Sequence, residues 1–191
     1  IRDSSFSIGT TAGGDDVIAW TESDSNSILF DLSMLNESET YISNARVTDI
    51  VGFTSSASSD SFRMDLTPPL QGTLSIGDLY QSDTANVTFT WAGFVDEHSG
   101  IGDYHYSLGT QPGFDDILPR TPLGLNADFA SLAITISGLS LQVNQTYYGT
   151  VYAIDKVANE TFAVSDGLTI DREGPESGTI FDGVIADIDH S

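Results

Sequence analysis

Cysteine and basic residues are what this sequence lacks. None of its 191 residues is Cys, which excludes disulfides, thiolate nucleophiles and thiolate metal ligands. Only 6 Lys and Arg stand against 28 Asp and Glu, so that the formal net charge is -22. Nucleic acids and anionic membranes attract proteins through Lys and Arg, and we therefore expect neither as a partner. The acidic balance favours divalent cations instead.

Long apolar runs are absent as well. No stretch of the sequence approaches the ~20 apolar residues of a membrane-spanning helix, and we expect no membrane insertion in this segment. Hydrophobic residues nevertheless make up 39% of the chain and aromatic residues 10%. This composition is sufficient for one large or two small folded cores.

An internal repeat is the main organising feature of the chain. The stretch from Ile1 to Val17 matches the stretch from Ile101 to Ile117 in constant register. Both contain Gly-Thr, a further Gly and a pair of Asp residues. After a small insertion the match resumes, with Thr40 to Pro69 corresponding to Thr146 to Pro175.

The repeat predicts the domain organisation. We expect residues 1–68 to be the later part of a first repeat, 69–174 a complete second repeat and 175–191 the opening strand of a third. A sequence divided in this way is expected to be a segment of a longer tandem array.

Hydrophobic side chains in the complete repeat recur with a period of two, which is typical of β-strands. Val87, Phe89 and Trp91 alternate with Thr, and three later runs alternate in the same way. Clusters of Gly, Asn, Asp and Ser separate these runs, and no amphipathic helical pattern is present. The sequence therefore predicts an all-β fold of antiparallel β-sandwiches.

The strand pattern resembles fibronectin type III and related immunoglobulin-like repeats of large extracellular surface or secreted proteins. In that pattern a Trp closes the second strand, as Trp91 does, and Thr-Tyr precedes a Val-x-Ala-x-Asp run, as Thr146 and Tyr147 precede Val151 to Asp155. The resemblance implies tandem β-sandwiches, an extracellular or cell-surface location, and a Trp91 side chain between the two sheets. It also implies a tyrosine corner at Tyr147 and at its counterpart Tyr41.

Residues suited to catalysis are few. The histidines have no counterpart in the repeat, and neither a Gly-x-Ser-x-Gly elbow nor a phosphate-binding Gly-rich loop is present. The adjacent carboxylates Asp115 and Asp116 would point to opposite faces of a strand, which does not suit glycosidase chemistry. We therefore expect the chain not to be an enzyme.

Metal binding is the chemical function that the expected arrangement of the loops supports. In a fibronectin-like sandwich the incoming linker and two loops gather at one end, and here they carry Asp65, then Asp96 and Glu97, then Asp155. Four carboxylates would repel one another unless a cation neutralised them, and calcium accepts ~6–8 oxygen ligands. We expect a calcium site at the junction between repeats. The alternative is that each Asp caps its own turn by accepting hydrogen bonds from nearby backbone N–H groups.

Four Asn residues lie in Asn-x-Ser/Thr sequons and are acceptors for glycosylation if the host permits it. They are Asn36, Asn86, Asn144 and Asn159.

The sequence as a whole favours a structural function. We expect a non-enzymatic repeat segment of an extended extracellular stalk, adhesin or surface filament, with neighbouring repeats of the same chain or like subunits as partners. One alternative is a glycan- or protein-binding module, for which Tyr148 and Tyr152 would lie on an outer sheet face. Another is an accessory segment of a multidomain secreted hydrolase.

Overall fold

The computed structural model describes residues 3–124 and 132–178, and these residues form β-strands and no helix. Buried and exposed side chains alternate strictly in the run Val-Thr-Phe-Thr-Trp-Ala. Polar turns separate the strands, which are β1 (Asp3–Gly9), β2 (Ile18–Ser23), β3 (Ile42–Thr48), β4 (Thr54–Ser58), β5 (Thr73–Ser75), β6 (Tyr80–Gln81), β7 (Val87–Ala92), β8 (Ile101–Gly109), β9 (Leu118–Pro122), β10 (Ala133–Ile136), β11 (Thr146–Asp155), β12 (Glu160–Val164) and β13 (Leu168–Ile170).

The chain divides into two compact units. Unit 1 comprises Ile1–Leu70, Val95–Asp103 and Ala153–Thr161, and unit 2 comprises Gln71–Phe94, Tyr104–Tyr152 and Phe162–Ser191. The repeat limits predicted at 68/69 and 174/175 stay predictions. Residues 179–191 of the predicted third repeat lie outside the described residues.

Unit 1 contains a four-stranded antiparallel sheet in the order β2-β1-β3-β4. The central pair places Phe6 of β1 opposite Ala45 of β3. Its core is small, because only three apolar side chains in this cluster are buried, with six more packed partly against them. The buried three are Ile8, Leu35 and Tyr41.

The second repeat contains two sheets. One has the order β10-β7-β5, and the other has the order β6-β13-β11-β8-β9 with β12 also paired to β11. Strands β5, β7 and β10 take the places of strands A, B and E of an immunoglobulin-like sandwich, and β8, β11 and β12–β13 take those of C, F and G. All pairs with a described register are antiparallel except β6 with β13.

The Trp91 side chain fills the interior of unit 2, as predicted. It is 2% exposed, and its ring centroid lies 5.4 Å from that of Tyr104 on β8. Phe89 on β7 packs in the same way against Tyr106, at 6.0 Å. These contacts join the side chains of the two sheets, and the fold is an all-β sandwich of the fibronectin type III and immunoglobulin-like type.

The two repeats also share the details of one hairpin. The Thr10 N–H and hydroxyl donate to the two carboxylate oxygens of Asp16 at 3.0 and 2.7 Å, and Thr110 donates to Asp116 at 2.9 and 2.8 Å. The strand register shifts at the same place in both hairpins, before Ile8 and before Leu108. Asp16 and Asp116 therefore close turns.

Candidate metal centre

Three Asp residues of unit 1 lie in separate turns, and each begins its turn by accepting backbone hydrogen bonds. The Oδ1 atom of Asp155, at the end of β11, accepts from the N–H groups of Val157 at 2.9 Å and Asn159 at 2.8 Å. The Oδ1 atom of Asp96 accepts from those of His98 at 3.1 Å and Gly100 at 2.6 Å. Gly100 has a φ of 77°, a left-handed conformation that favours glycine at this point.

Asp65 lies three residues after Phe62, which forms an isolated antiparallel bridge with Tyr41. Its Oδ1 accepts from the Thr67 N–H at 3.2 Å, and its Oδ2 accepts from the Ser99 N–H at 3.0 Å. The second bond ties the Asp65 segment to the turn that begins at Asp96.

The three carboxylates converge. One oxygen from each of Asp65, Asp96 and Asp155 lies within 4.8 Å of the others. Asp155 is 3% exposed and the Asp65 side chain is 6% exposed, whereas Asp96 is half-buried. Carboxylates at such separations repel one another, and a divalent cation that accepts oxygen ligands would relieve the repulsion.

Asn159 connects the Asp155 carboxylate to the backbone of Asp65. Its Nδ2 donates to Oδ2 of Asp155 at 2.8 Å and to the backbone carbonyl of Asp65 at 3.2 Å. The sequence marked Asn159 only as a sequon, and its spacing of four residues from Asp155 was the available signal for this contact. The amide therefore contributes to holding the cluster in place.

The pKa of Asp65 lies below the ordinary value of 3.8. Burial raises this pKa, but hydrogen bonds from Ser99 and Thr67 and the nearby His98 ring lower it by more. The Nδ1 atom of His98 is 4.0 Å from Oδ1 of Asp65 and 3.1 Å from the Thr67 hydroxyl. Asp65 is accordingly charged at neutral pH and available to a cation.

Glu97 does not belong to the group, although the sequence placed it there. It is exposed, and it lines the wall of a shallow surface cavity together with Arg63 and His98. The reason is local: Asp96 turns inward to accept its N–H bonds, and the adjacent side chain then faces outward. Among the described residues the structure brings together three of the four predicted ligands.

Both interpretations of the cluster find support in its geometry. Every Asp of the group caps a turn, as the turn-capping alternative requires. Among the described residues, the hydrogen bonds to Asp96 nevertheless come to its Oδ1 atom, and Oδ2 is not used in capping the turn. Capping and metal binding are therefore compatible in this arrangement.

A turn of the same construction occurs in the first repeat. The Oδ1 atom of Asp49 accepts from the N–H groups of Val51 and Phe53, both at 2.9 Å. The Asp49 N–H donates to the Phe53 carbonyl at 2.9 Å, just as the Asp155 N–H donates to the Asn159 carbonyl at 3.0 Å. Among the described residues, Asp49 does not belong to a cluster of acidic side chains like that of Asp155.

The other sequons occupy different surroundings. Asn36 and Asn144 are exposed and Asn86 is half-buried. The Nδ2 atom of Asn86 donates to Asp83 at 2.8 Å, and that of Asn144 donates to Glu173 at 3.2 Å. Glycosylation at the four sequons stays a prediction.

The sequence matches no protein-family model and no curated protein. Similar solved structures include a three-domain segment of titin, at 12% identity and a TM-score of 0.47, covering 89% of this chain and 55% of that one. A titin module from human cardiac muscle has 18% identity and a TM-score of 0.33, covering 55% of this chain and 91% of that one. Three FN domains of chicken CNTN1 have 12% identity and a TM-score of 0.43, covering 86% of this chain and 52% of that one.

These similarities concern the fold alone. The fold itself is identified by the strand order described above. The chain spans about half the length of the titin segment and of the CNTN1 segment. In the part of the chain that the structure describes, no helix has the length and apolar character needed to cross a bilayer.

Proposed function

We propose that this chain is a non-enzymatic structural segment of an extended extracellular array of β-sandwich repeats, such as a stalk, adhesin or surface filament. The observation that carries the proposal is the repetition of one hairpin and one turn with matching hydrogen bonds, at Asp16 and Asp116 and at Asp49 and Asp155. Repeats that are built alike and joined end to end form elongated arrays.

We further propose that Asp65, Asp96 and Asp155 bind one calcium ion. Support comes from the convergence of their oxygens within 4.8 Å. Calcium would complete its coordination with backbone carbonyls and water, as it does in other flexible oxygen sites. Bound calcium would fix the three turns and stiffen the array at this point.

Calorimetric titration of the chelator-treated chain with calcium chloride tests the site. We expect one ion to bind and the unfolding temperature to rise, because binding to the folded state alone stabilises it. Asp155→Asn should abolish binding. Asp49→Asn is the matched control, since Asp49 makes the same turn outside the group. Absence of binding heat and of a thermal shift would mean that the three Asp residues only cap turns.

The length of the particle tests the array. Small-angle scattering with calcium and with chelator should show a shorter, more variable particle once the ion is removed. Identical profiles in the two conditions would contradict stiffening by calcium, whereas the repeat architecture itself would not be affected.

A second candidate function is favoured by one surface of unit 2. The Arg120 guanidinium lies 4.0 Å from the centroid of the Tyr152 ring, whose centroid is 6.0 Å from that of Phe162. Phe162 is 51% exposed. Such a patch suits the apolar face of a sugar or a protein side chain, and a glycan array would test it. Saturable binding that is lost in Phe162→Ser would favour a binding module over a purely structural segment.

A further inference from the structure

Two buried hydroxyl groups on neighbouring strands of unit 2 have no hydrogen-bond partner among the described residues. They belong to Ser107 on β8 and Thr150 on β11, and both residues are 0% exposed. The residues beside them, Tyr106 and Gly149, face the interior, where both lie against Phe89. Because successive side chains of a strand point to opposite faces, the two hydroxyls lie on the outer face of the sheet.

The turn between β8 and β9 covers this part of the outer face. Gly109 lies two residues after Ser107 and therefore on the same face. A Cβ atom at Gly109 would lie 2.4 Å from the Phe114 carbonyl oxygen, so that the backbone of the turn folds back onto the strand. The turn thus brings backbone polar groups close to the two hydroxyls.

The first repeat contains the same turn, and there side chains bind it directly. The Ser7 hydroxyl donates to the Gly14 carbonyl at 2.9 Å. Asn44 lies directly opposite Ser7 in the pairing of β1 with β3. Its Oδ1 accepts from the Gly13 N–H at 2.7 Å, and its Nδ2 donates to the Gly14 carbonyl at 2.7 Å. One amide side chain therefore connects the sheet to the turn with both a donor and an acceptor.

The backbone of the turn is alike in the two repeats. Gly13 and Gly113 have φ values of 77° and 79°. The N–H of the following residue donates to the carbonyl three residues before it, at 2.9 Å for Gly14 and 3.0 Å for Phe114. The Gly113 N–H and the Phe114 carbonyl therefore correspond to the two groups that the amide binds in the first repeat.

The side chains beneath the turn differ. Thr150 corresponds to Asn44, but its hydroxyl is attached directly to Cβ and ends short of the place that the longer amide reaches. Val164 corresponds to Ser58, whose hydroxyl donates to Oδ1 of Asn44 at 2.7 Å. The second repeat therefore keeps the turn and the strands but has a shorter side chain where the first repeat has an amide.

We propose that one buried water molecule binds between the Ser107 and Thr150 hydroxyls and the turn that covers them. A water oxygen lies about 2.8 Å from a hydroxyl to which it is bonded, and it thus takes the place of the Asn44 amide. The water accepts from the Gly113 N–H and donates to the Phe114 carbonyl. Its second acceptor site and second donor serve the two hydroxyls. The inference goes beyond the proposed function and does not depend on calcium.

The chemistry of the site favours water over other ligands. Its groups are two hydroxyls, one N–H and one carbonyl, none of which is charged, and burial at such a site excludes an ion. The ligand must donate and accept hydrogen bonds at once and be small enough for a fully covered position. Buried waters make about 2–4 hydrogen bonds to groups that the protein leaves unsatisfied, and this site offers that number.

Oxygen-17 magnetic relaxation dispersion of the intact chain tests the site, because it counts long-lived water molecules without a contribution from hydroxyl protons. Thr150→Asn should lower the count by one, since the amide displaces the water. Asn44→Thr should raise it by one, since the first repeat then acquires the construction of the second. A count that is the same in Thr150→Asn as in the parent would overturn the proposal.

Urea denaturation of Thr150→Val gives a second measurement. Val has the shape of Thr without the hydroxyl, so that the variant should gain stability if the hydroxyl has no partner and lose stability if the hydroxyl binds water. Thr90→Val, on the exposed face of β7, is the control for the strand preference of Val. We expect a lower urea midpoint for Thr150→Val than for Thr90→Val. A midpoint equal to or above that of the control would contradict the bound water.

Discussion

The backbone N–H of Gln142 donates a hydrogen bond to the Tyr147 hydroxyl at 2.7 Å, and the Asn36 N–H donates to Tyr41 at 2.9 Å. Both Tyr rings are 1% exposed. Each hydroxyl thus fixes the loop before its strand, and the tyrosine corners predicted from the sequence are confirmed in both repeats.

Removal of one hydroxyl should destabilise the fold without changing it. We expect Tyr147→Phe to lower the free energy of unfolding by about 1 kcal/mol, because the Gln142 N–H loses its partner. Urea denaturation measures the change. Tyr80→Phe is the control, since Tyr80 is 64% exposed, and an equal effect of the two variants would contradict a special role for the corner.

Gly149 should tolerate no side chain. A Cβ atom at this position would meet Ile76 and Phe89 inside van der Waals distance, and overpacking of this kind costs about 1–3 kcal/mol. We expect Gly149→Ala to unfold at lower urea concentration than the parent. Ser43→Ala, at the equivalent exposed position, should unfold at the parent's concentration, and a stable Gly149→Ala variant would show that β7 does not press on β11.

The free energy of unfolding should fall as the pH is lowered, because the carboxylates of the two hairpins become protonated. Hydrogen bonds from the Thr110 N–H and hydroxyl hold the pKa of Asp116 below the ordinary value of 3.8. A pKa that is lower in the folded state stabilises the fold above the unfolded pKa, and this contribution is lost as the pH falls through the folded value. We expect the urea midpoint to decrease below about pH 4.

The urea midpoint of the Asp116→Asn variant should decrease less on acidification than that of the parent. Asp115→Asn removes the same charge from the chain and therefore serves as its control. Midpoints measured from pH 7 to pH 2 compare the three proteins. Superimposable profiles for the two variants would mean that general charge repulsion, rather than the Thr110 bonds, determines the pH dependence.

Cation–π pairs occupy the same two positions in both repeats, with the partners exchanged. Arg46 lies 4.4 Å from the centroid of the Trp20 ring, and Arg120 lies 4.0 Å from that of Tyr152. In the repeat Trp20 corresponds to Arg120 and Arg46 to Tyr152. We expect Arg46→Ala to cost about 0.5–1 kcal/mol, as such pairs do on partly exposed surfaces.

Exchange of the pair provides a sharper measurement. Trp20→Arg combined with Arg46→Trp should recover the stability that each single substitution loses, because the geometry accepts either order. A double variant whose loss in the free energy of unfolding equals the sum of the two single losses would exclude direct coupling between the positions.

Most of the fold could be predicted because its signals are local. Apolar residues alternate with Thr in Val87–Trp91, and this pattern predicts a strand with one buried face without reference to any neighbouring strand. The Thr-Tyr pairs at Tyr41 and Tyr147 mark tyrosine corners, whose hydrogen bonds reach only five residues back.

The candidate site depends on longer-range contacts. Sequence spacing brought Asp65, Asp96 and Asp155 to one end of a sandwich, but the inward turn of Asp96 and the outward direction of Glu97 follow from backbone hydrogen bonds that a spacing does not encode.

The turn that begins at Asp49 and the one that begins at Asp155 are closed by their own N–H groups. Each is thus pre-organised, with its shape set before any other segment arrives. In the proposed array, a neighbouring repeat that docked at such a turn would lose little of its affinity to ordering a loop. Substitutions in the side chains that line the turn would then change the strength of that contact while the backbone of the turn stayed the same.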